Sequence, residues 1–299
     1  MKHDPVARIR RFNRAVTAEV GALDDSFLGR GRSLGAARVL NAIGHGIADV
    51  AALRAYLNLD SGLTSRLLRG LESEGLVETR TDPADARRRL LSLTAQGEAE
   101  YAAYEQLSDD RVRDLLRRHP KPDALLAAMD LVATALARDR IEMVEMDPRA
   151  ADAVHCLQSY YAELARRFSQ GFDVSLSRDP EATAMIRPRG SFIVAVSDGL
   201  PIGCAGLKGD GGKVAEIKRM WVAPEARGLG LARQMMSRLE ADAAELGVEV
   251  LRLDTNSALP EAVALYRNSG WTEIERFNDD PYPDHFFEKR IDARDGAPA

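Results

Sequence analysis

Only two cysteines occur in 299 residues, Cys156 and Cys204, far apart and without metal-ligand spacing. That excludes a disulfide framework and a cysteine-based metal site, and two reduced structural thiols in a cytoplasm are expected. No apolar run approaches the roughly 20 residues needed to cross a bilayer, so no membrane partner is expected. The opening Met1-Lys2-His3-Asp4-Pro5 lacks the apolar core of a signal peptide. Charge of one sign is also scarce: the net charge is −5. Residues 1–139 hold 21 basic against 20 acidic side chains, and residues 140–299 hold 20 against 26. Composition alone therefore does not mark a nucleic-acid binder; any basic face must be local. The length predicts about two domains, and 45% hydrophobic with 29% charged residues is ordinary for a globular chain.

What is present is organised around Glu216 to Leu246. The run Ala215-Glu216-Ile217-Lys218-Arg219-Met220-Trp221-Val222 alternates and is rich in β-formers, which predicts a strand. After Ala223-Pro224-Glu225-Ala226 comes Arg227-Gly228-Leu229-Gly230-Leu231-Ala232. Leu231, Met235, Leu239, Ala243 and Leu246 then fall on one helix face until Gly247 stops the pattern. Strand, glycine turn and helix in that order leave backbone N–H groups and the positive end of a helix dipole at the turn, which suits a phosphate. A side chain at Gly228 or Gly230 would hold a diphosphate away from those amides. The third glycine of a dinucleotide fingerprint and the Lys-Ser/Thr ending of a triphosphate loop are missing. Two glycines by themselves also suit an ordinary strand-to-helix turn.

In the first half, Val6, Ile9, Phe12, Val16, Val20 and Leu23 recur at helical spacing, and a short helix is expected over Leu34 to Ile43. Asp49 to Leu57, a turn at Asn58-Leu59-Asp60-Ser61 and a capped helix from Gly62 to Glu74 make a helix-turn-helix pattern. Leu63, Leu67 and Leu71 are expected to point inward. Gly62, Thr64, Ser65, Arg66 and Arg69 are left outside, where with Ser61 they suit a major groove. Solvated surface arginines give the same pattern. Strands over Leu76 to Arg80 and Arg89 to Leu93 flank a basic loop, so a wing with Asp85, Arg87 and Arg88 at its tip is expected. Thr94 should cap a long helix to Leu116, and a last helix should run from Asp123 to about Arg138.

Leu53-x3-Leu57 through Ser65-Arg66-Leu67-Leu68-x2-Leu71-x3-Gly75-Leu76-Val77, with Asp85-x-Arg87 through Leu93-Thr94-x2-Gly97, resembles the winged helix of MarR-type transcriptional regulators over roughly residues 5–139. The resemblance implies a homodimer joined through the first and the last two helices and bound to a pseudo-palindromic double-stranded DNA operator. It places the family's paired wing Asp and Arg on Asp85 and Arg87.

The second half predicts a strand over Ile141 to Met146 and a helix from Asp147 to Phe168. Strands over Ser191 to Ser197 and Pro201 to Lys208 follow, then the strand–turn–helix described above. A strand to Thr255, a helix from Pro260 to Ser269 and closing strands over Trp271 to Phe277 and His285 to Lys289 complete it. With Arg227-x2-Gly230-x-Ala232 after Met220-Trp221-Val222-x-Pro224, this order resembles the GNAT superfamily of N-acetyltransferases from about Ile141 to Ile291, including its acetyl-CoA loop. The resemblance implies that Arg227, Gly228, Leu229, Gly230, Leu231 and Ala232 hold the diphosphate through their amides. Met220, Trp221 and Val222 would bind the pantetheine, Asn256 would contact the coenzyme, and Tyr266 would be the general acid.

An amine is mostly protonated at pH 7, so a base is needed, and Glu216 is the candidate. A solvated carboxylate at Glu216, a packed Tyr266 and a helix-capping Asn256 remain the alternatives. The amine pocket is expected from the first helices, the Phe168–Asp173 loop and the Asp279–His285 loop. Arg166 and Arg167 either bind a substrate carboxylate or lie on the helix surface. No metal is required.

The expected fold is thus two domains: a mostly α winged helix-turn-helix (MarR-like) domain over residues 1–139, then an α/β GNAT fold with a mixed central sheet over 140–292, with a disordered tail at 293–299. The expected function is a bifunctional regulator and acetyl-CoA-dependent N-acetyltransferase acting on a small amine or amino acid. A regulator whose second half only senses acetyl-CoA or an amine, and a protein lysine acetyltransferase, are the rival expectations.

Overall fold

A computed structural model describes residues 4–176 and 183–291, so the tail at 293–299 lies outside the described residues. The chain divides into two compact units, Met1–Pro122 and Asp123–Ala299.

In the first unit, α1 (Pro5–Glu19) starts where Asp4 accepts the Val6 and Ala7 N–H groups, both at 3.2 Å, and it buries none of its residues. α2 (Leu34–Gly44) is buried through Val39, Leu40 and Ala42 and forms the centre of the unit. α3 (Val50–Leu57) begins on Asp49, which accepts the Ala52 N–H at 2.8 Å, and α4 (Ser61–Ser73) begins on Asp60, which accepts the Leu63 N–H at 2.9 Å. Within the expected Asn58–Ser61 turn it is Asp60 that caps, and Ser61 is the first residue of the helix. β1 (Val77–Thr81) and β2 (Arg89–Leu93) pair antiparallel as the wing, and α5 (Ala95–Arg118) follows, its first turn closed by Thr94 on the Gly97 N–H at 3.0 Å. Leu40, Leu53, Leu68, Leu71, Leu76, Leu91 and Tyr104 make one core.

Gly97 is required for contact rather than for conformation. A Cβ there would run into the Leu76 carbonyl, which is backbone and cannot swing aside. Gly97→Ala gains about 0.5–1 kcal/mol of helix propensity, but overpacking costs about 1–3 kcal/mol. The variant is expected to lower the unfolding midpoint of this unit in a denaturant melt.

α6 (Pro122–Leu136) falls on the second unit's side of the division. Then come β3 (Glu142–Glu145), α7 (Ala151–Arg167), β4 (Ser191–Ser197), β5 (Leu200–Gly209), β6 (Val214–Val222), α8 (Leu231–Glu245), β7 (Val250–Thr255), α9 (Pro260–Arg267), β8 (Thr272–Glu273) and β9 (His285–Arg290). The sheet runs β3-β4-β5-β6-β7-β9-β8. Only β6 and β7 are parallel, which makes it the expected mixed sheet. Successive residues of β4 and β5 are buried, as strands covered on both faces require, and α7 and α8 both pack on them.

In the second unit two boundaries differ by several residues from the expectation. α7 starts at Ala151 because Asp147 folds back to accept the Arg149 N–H at 2.8 Å and holds the chain in a turn. The closing strand expected over Trp271 to Phe277 shrinks to Thr272–Glu273. Beyond it Arg276 donates to the carbonyls of Asp280 and Pro283, at 3.0 and 2.8 Å, which curls 276–283 away from the sheet edge.

Candidate functional site

The site arises where the two parallel strands part. Pairing between β6 and β7 ends at Ile217 and Leu253, although β6 runs on to Val222 and β7 to Thr255. On its other side β6 carries a bulge. Cys204 pairs with Trp221 and Gly206 with Lys218, so Arg219 and Met220 together face the single Ala205. Arg219 takes φ +58°, a conformation that L side chains rarely adopt. The bulge and the parting strands leave Met220 on a gap, and two cavities meet there.

The first cavity, about 430 Å³, is lined by Met220, Trp221, Val222, Arg227, Gly228, Gly230, Leu231 and Ala232. Eight of the ten residues expected to bind the coenzyme are thus brought together. Gly228 and Gly230 have φ +80° and +83° and open space where a Cβ would stand. α8 starts on Gly230 with no side chain capping it, so the amides of its first turn face the cavity mouth unpaired by any cap. Uncapped amides at a helix N-terminus beside a long cavity fit the diphosphate of a coenzyme. Leu229 does not line the cavity; its side chain packs partly buried on the core. The Arg227 guanidinium is not free for a phosphate either. It donates to Glu163 at 2.6 Å and to the Val222 carbonyl at 3.1 Å.

Glu163, which the sequence did not single out, is the hub of this wall. It is 9% exposed and accepts from Trp221 Nε1 at 3.0 Å, Arg227 at 2.6 Å and Arg167 at 3.2 Å. Arg167 continues to Glu261 at 2.9 Å. Burial pushes the Glu163 carboxyl up, but its cationic and indole donors outweigh that and hold it below the usual range. Glu261 is held low by Arg167. A carboxyl whose folded pKa lies below its unfolded one stabilises the fold fully above the unfolded value of about 4.3, and that contribution is lost as pH falls through the folded value. Thermal melts are therefore expected to lose stability below about pH 5, with a shallower acid slope in Glu163→Gln; equal slopes would contradict the assignment.

The second cavity shares Tyr160, Leu164, Met220, Leu259, Ala262 and Tyr266 with the first. Phe168, Phe172, Asp280, Tyr282 and Pro283 line its far side, from the two loops expected to build an acceptor pocket. Tyr266 is 6% exposed and stands at the junction. Burial, with Asp254 nearby, pushes its phenol well above the usual value, so it stays protonated at neutral pH. Tyr160, which lies in the stretch expected to be helical but which the sequence did not single out, shares the junction, and burial with Tyr266 and Asp254 nearby raises its phenol likewise.

Three sets of candidate residues lie away from their expected functional positions, and Arg166 and Arg167 follow the helix-surface alternative. Glu216 lies opposite Arg252, where β6 and β7 are still paired, so it sits below the gap and lines neither cavity. It holds Lys218 at 3.3 Å. Of the two carboxylates that do line the second cavity, Asp254 and Asp280, Asp254 accepts from Lys218 and from Asn278, each at 2.6 Å, through a single oxygen. Burial opposes the Lys218 charge, but Asp254 and Glu216 outweigh it and raise its pKa. Asn256 is occupied: it donates to the Tyr282 carbonyl at 2.6 Å and accepts the Ala258 N–H at 2.8 Å, and it lines the second cavity rather than the first. Arg166 and Arg167 line neither cavity.

In the first unit, Ser61, Ser65, Arg66 and Arg69 are exposed along α4, but Thr64 is not. Thr64 is 1% exposed, its hydroxyl donating to the Asp60 carbonyl at 2.8 Å, and Leu68 and Leu71 are buried with it while Leu63 and Leu67 are half-buried. The inward stripe is thus rotated from the expected one, and Thr64 belongs to the core. In the wing, Asp85 accepts the Arg87 N–H at 2.9 Å and shapes the tip, leaving Arg87 exposed. Arg88 points back to Asp49 at 2.8 Å, tying the wing to the start of α3 rather than reaching outward.

Comparison with known proteins agrees with both halves. Residues 30–88 match the MarR family, and residues 157–271 match the acetyltransferase (GNAT) family. An IAA acetyltransferase of Azospirillum brasilense is 35% identical over 99 residues, 33% of this chain and 63% of that protein. The transcriptional regulator HosA of Escherichia coli O111:H- is 40% identical over 73 residues, 24% of this chain and 53% of that protein. The chain therefore spans only 63% and 53% of these relatives. A solved GNAT-family acetyltransferase of Staphylococcus aureus Mu50 has 18% identity and a TM-score of 0.45, over 51% of this chain and 99% of that one. The chain thus joins a segment that matches the MarR family to a domain that matches the GNAT acetyltransferase family.

Proposed function

We propose that the chain from about residue 140 is an acetyl-CoA-dependent N-acetyltransferase acting on a small amine or amino acid, and that the first half, to about residue 139, is an operator-binding regulator. One observation carries the enzyme reading: an uncapped helix N-terminus opens on a cavity that joins a second one at Met220, Tyr160 and Tyr266. Acetyl-CoA supplies the acyl group to the amine nitrogen and leaves as the thiol. The amides of residues 228–232 hold its diphosphate, and a backbone N–H beside Met220 stabilises the carbonyl oxygen as charge develops there. Tyr266 donates the proton that the departing sulfur takes, and Asp254, through the oxygen not engaged by Lys218 and Asn278, receives a proton from the amine directly or through water.

On the DNA side, Arg66 and Arg69 on α4 and Arg87 in the wing reach out as a base-reading and phosphate-contacting set, with Ser61 and Ser65 between them. A homodimer is supported by apolar faces with no cover: Val6, Ile9, Phe12 and Val16 on α1, Leu107 and Val112 on α5, and Leu126, Met129 and Leu131 on α6 are exposed. A cytoplasmic location follows from DNA and acetyl-CoA as partners. Thiol release from acetyl-CoA across an amine panel tests the enzyme. Turnover supports it, whereas coenzyme binding without turnover would leave a sensor, and turnover on protein lysines alone would indicate a protein acetyltransferase.

A further inference from the structure

The chain is poor in aromatic residues, at 6%, yet six aromatic side chains line the second cavity and five of them pile together. Phe168 ends α7, Phe172 lies in the loop after it, and Tyr282 lies in the loop before β9. Phe172 and Tyr282 are 4.8 Å apart, Phe168 and Tyr282 5.8 Å, and Phe168 and Phe172 6.1 Å. Tyr161 extends the pile 5.7 Å from Phe172, and Tyr160 lies 5.6 Å from Tyr161 towards the junction. The pile is braced from outside. The Tyr282 hydroxyl accepts the Asp173 N–H at 2.8 Å, and Asn256 holds the Tyr282 carbonyl at 2.6 Å. Rings from three separate segments, tied by hydrogen bonds to a cavity wall, form a shaped surface for a flat apolar group.

The rest of the lining settles the charge such a group should carry. Two carboxylates, Asp254 and Asp280, face the cavity. Its cations are already engaged: Lys218 holds Asp254 and Glu216, Arg219 stands over the Tyr161 ring at 5.8 Å, and Lys208 has a partner too. A carboxylate on the ligand would compete with Asp254 and Glu216 for Lys218, and an unpaired buried charge is costly. An ammonium gains instead from the carboxylates and from ring faces.

We infer that the acceptor is a primary arylalkylamine without a carboxylate, its ring against Phe168, Phe172 and Tyr282 and its nitrogen at the Tyr160–Met220–Tyr266 junction. The inference rests on the acetyltransferase reading and narrows its acceptor. The ammonium gives one proton to Asp254 and from there to solvent, and the nitrogen lone pair forms the C–N bond as the thioester C–S bond breaks. The sulfur takes the Tyr266 proton, which the second N–H proton restores, so the products are the N-acetyl amine, the free thiol and one proton.

The test compares initial rates of the full chain at saturating acetyl-CoA with phenethylamine and tryptamine against hexylamine, spermidine and phenylalanine, with acetyl-CoA titrated by calorimetry alongside. The aryl amines are expected to exceed hexylamine and phenylalanine in kcat/KM by about tenfold or more. In Phe172→Leu, which keeps an apolar wall, that preference is expected to fall about tenfold. Coenzyme binding with hexylamine, spermidine or phenylalanine turned over as well as the aryl amines, or with no amine turned over, overturns the arylalkylamine assignment while the coenzyme site stands. Absence of coenzyme binding overturns the acetyltransferase reading beneath it as well.

Discussion

Tyr266→Phe is expected to lower kcat about 100-fold or more while leaving the KM for acetyl-CoA within about twofold. The phenol stands where the two cavities join, packed on the rings of Trp271 and Phe287 at centroid distances of 6.2 and 5.7 Å. Removing one oxygen leaves those ring contacts intact, so the fold and the coenzyme cavity should survive. What is lost is a proton donor held in its neutral form by burial. A thiolate expelled without that proton leaves slowly, so the effect belongs to kcat. Tyr160→Phe is the internal control, because Tyr160 shares the junction and is also protonated. A large kcat loss in Tyr160→Phe with none in Tyr266→Phe would move the acid role to Tyr160. Loss in neither would leave the junction without its assigned chemistry.

Arg66→Ala is the second large effect, expected to weaken operator binding by about 1–3 kcal/mol if the guanidinium reads a base. Arg66 is exposed on α4 six residues past the Asp60 cap, and among the described residues no carboxylate forms an ion pair with it as Asp49 does with Arg88. Electrophoretic mobility shifts over a salt series separate two roles. A base contact relaxes specificity at one position of the site. A phosphate contact weakens every sequence alike and lowers the salt slope by about one. Thr64→Ala should move neither slope nor specificity, because its side chain is inside the core; its effect should appear in stability. Unchanged affinity in both Arg66→Ala and Arg69→Ala would remove α4 from the groove.

Local pattern carried much of this structure. The glycine turn before α8, the alternation along β6 and the Asp–helix caps of α3 and α4 all stand within a few residues of where their chemistry marks them, so they could be read directly. The errors came where facing depends on distant segments. One residue of rotation on α4 exchanged Leu63 and Leu67 for Thr64 and Leu68 in the core, and only packing against α2 decides that. Glu216 and Asp254 both lie on strands near the gap. Which of them meets the cavity depends on the point at which β6 and β7 stop pairing, and no local pattern marks that point. Glu163 and Tyr160 went unread for the same reason. On α7 they look like ordinary helix residues until Arg227, Trp221 and Tyr266 are brought to them from the other side of the fold.

The central claim is that the amides at the start of α8 hold the diphosphate of a coenzyme. It is tested most directly by calorimetry of the full chain with acetyl-CoA, with coenzyme A and with the acetyl thioester of N-acetylcysteamine, which keeps the thioester but has no diphosphate. The two diphosphate ligands should bind alike, and the truncated thioester about 100-fold more weakly or not detectably. Equal binding of the truncated thioester, or no binding of acetyl-CoA to folded protein, would contradict it.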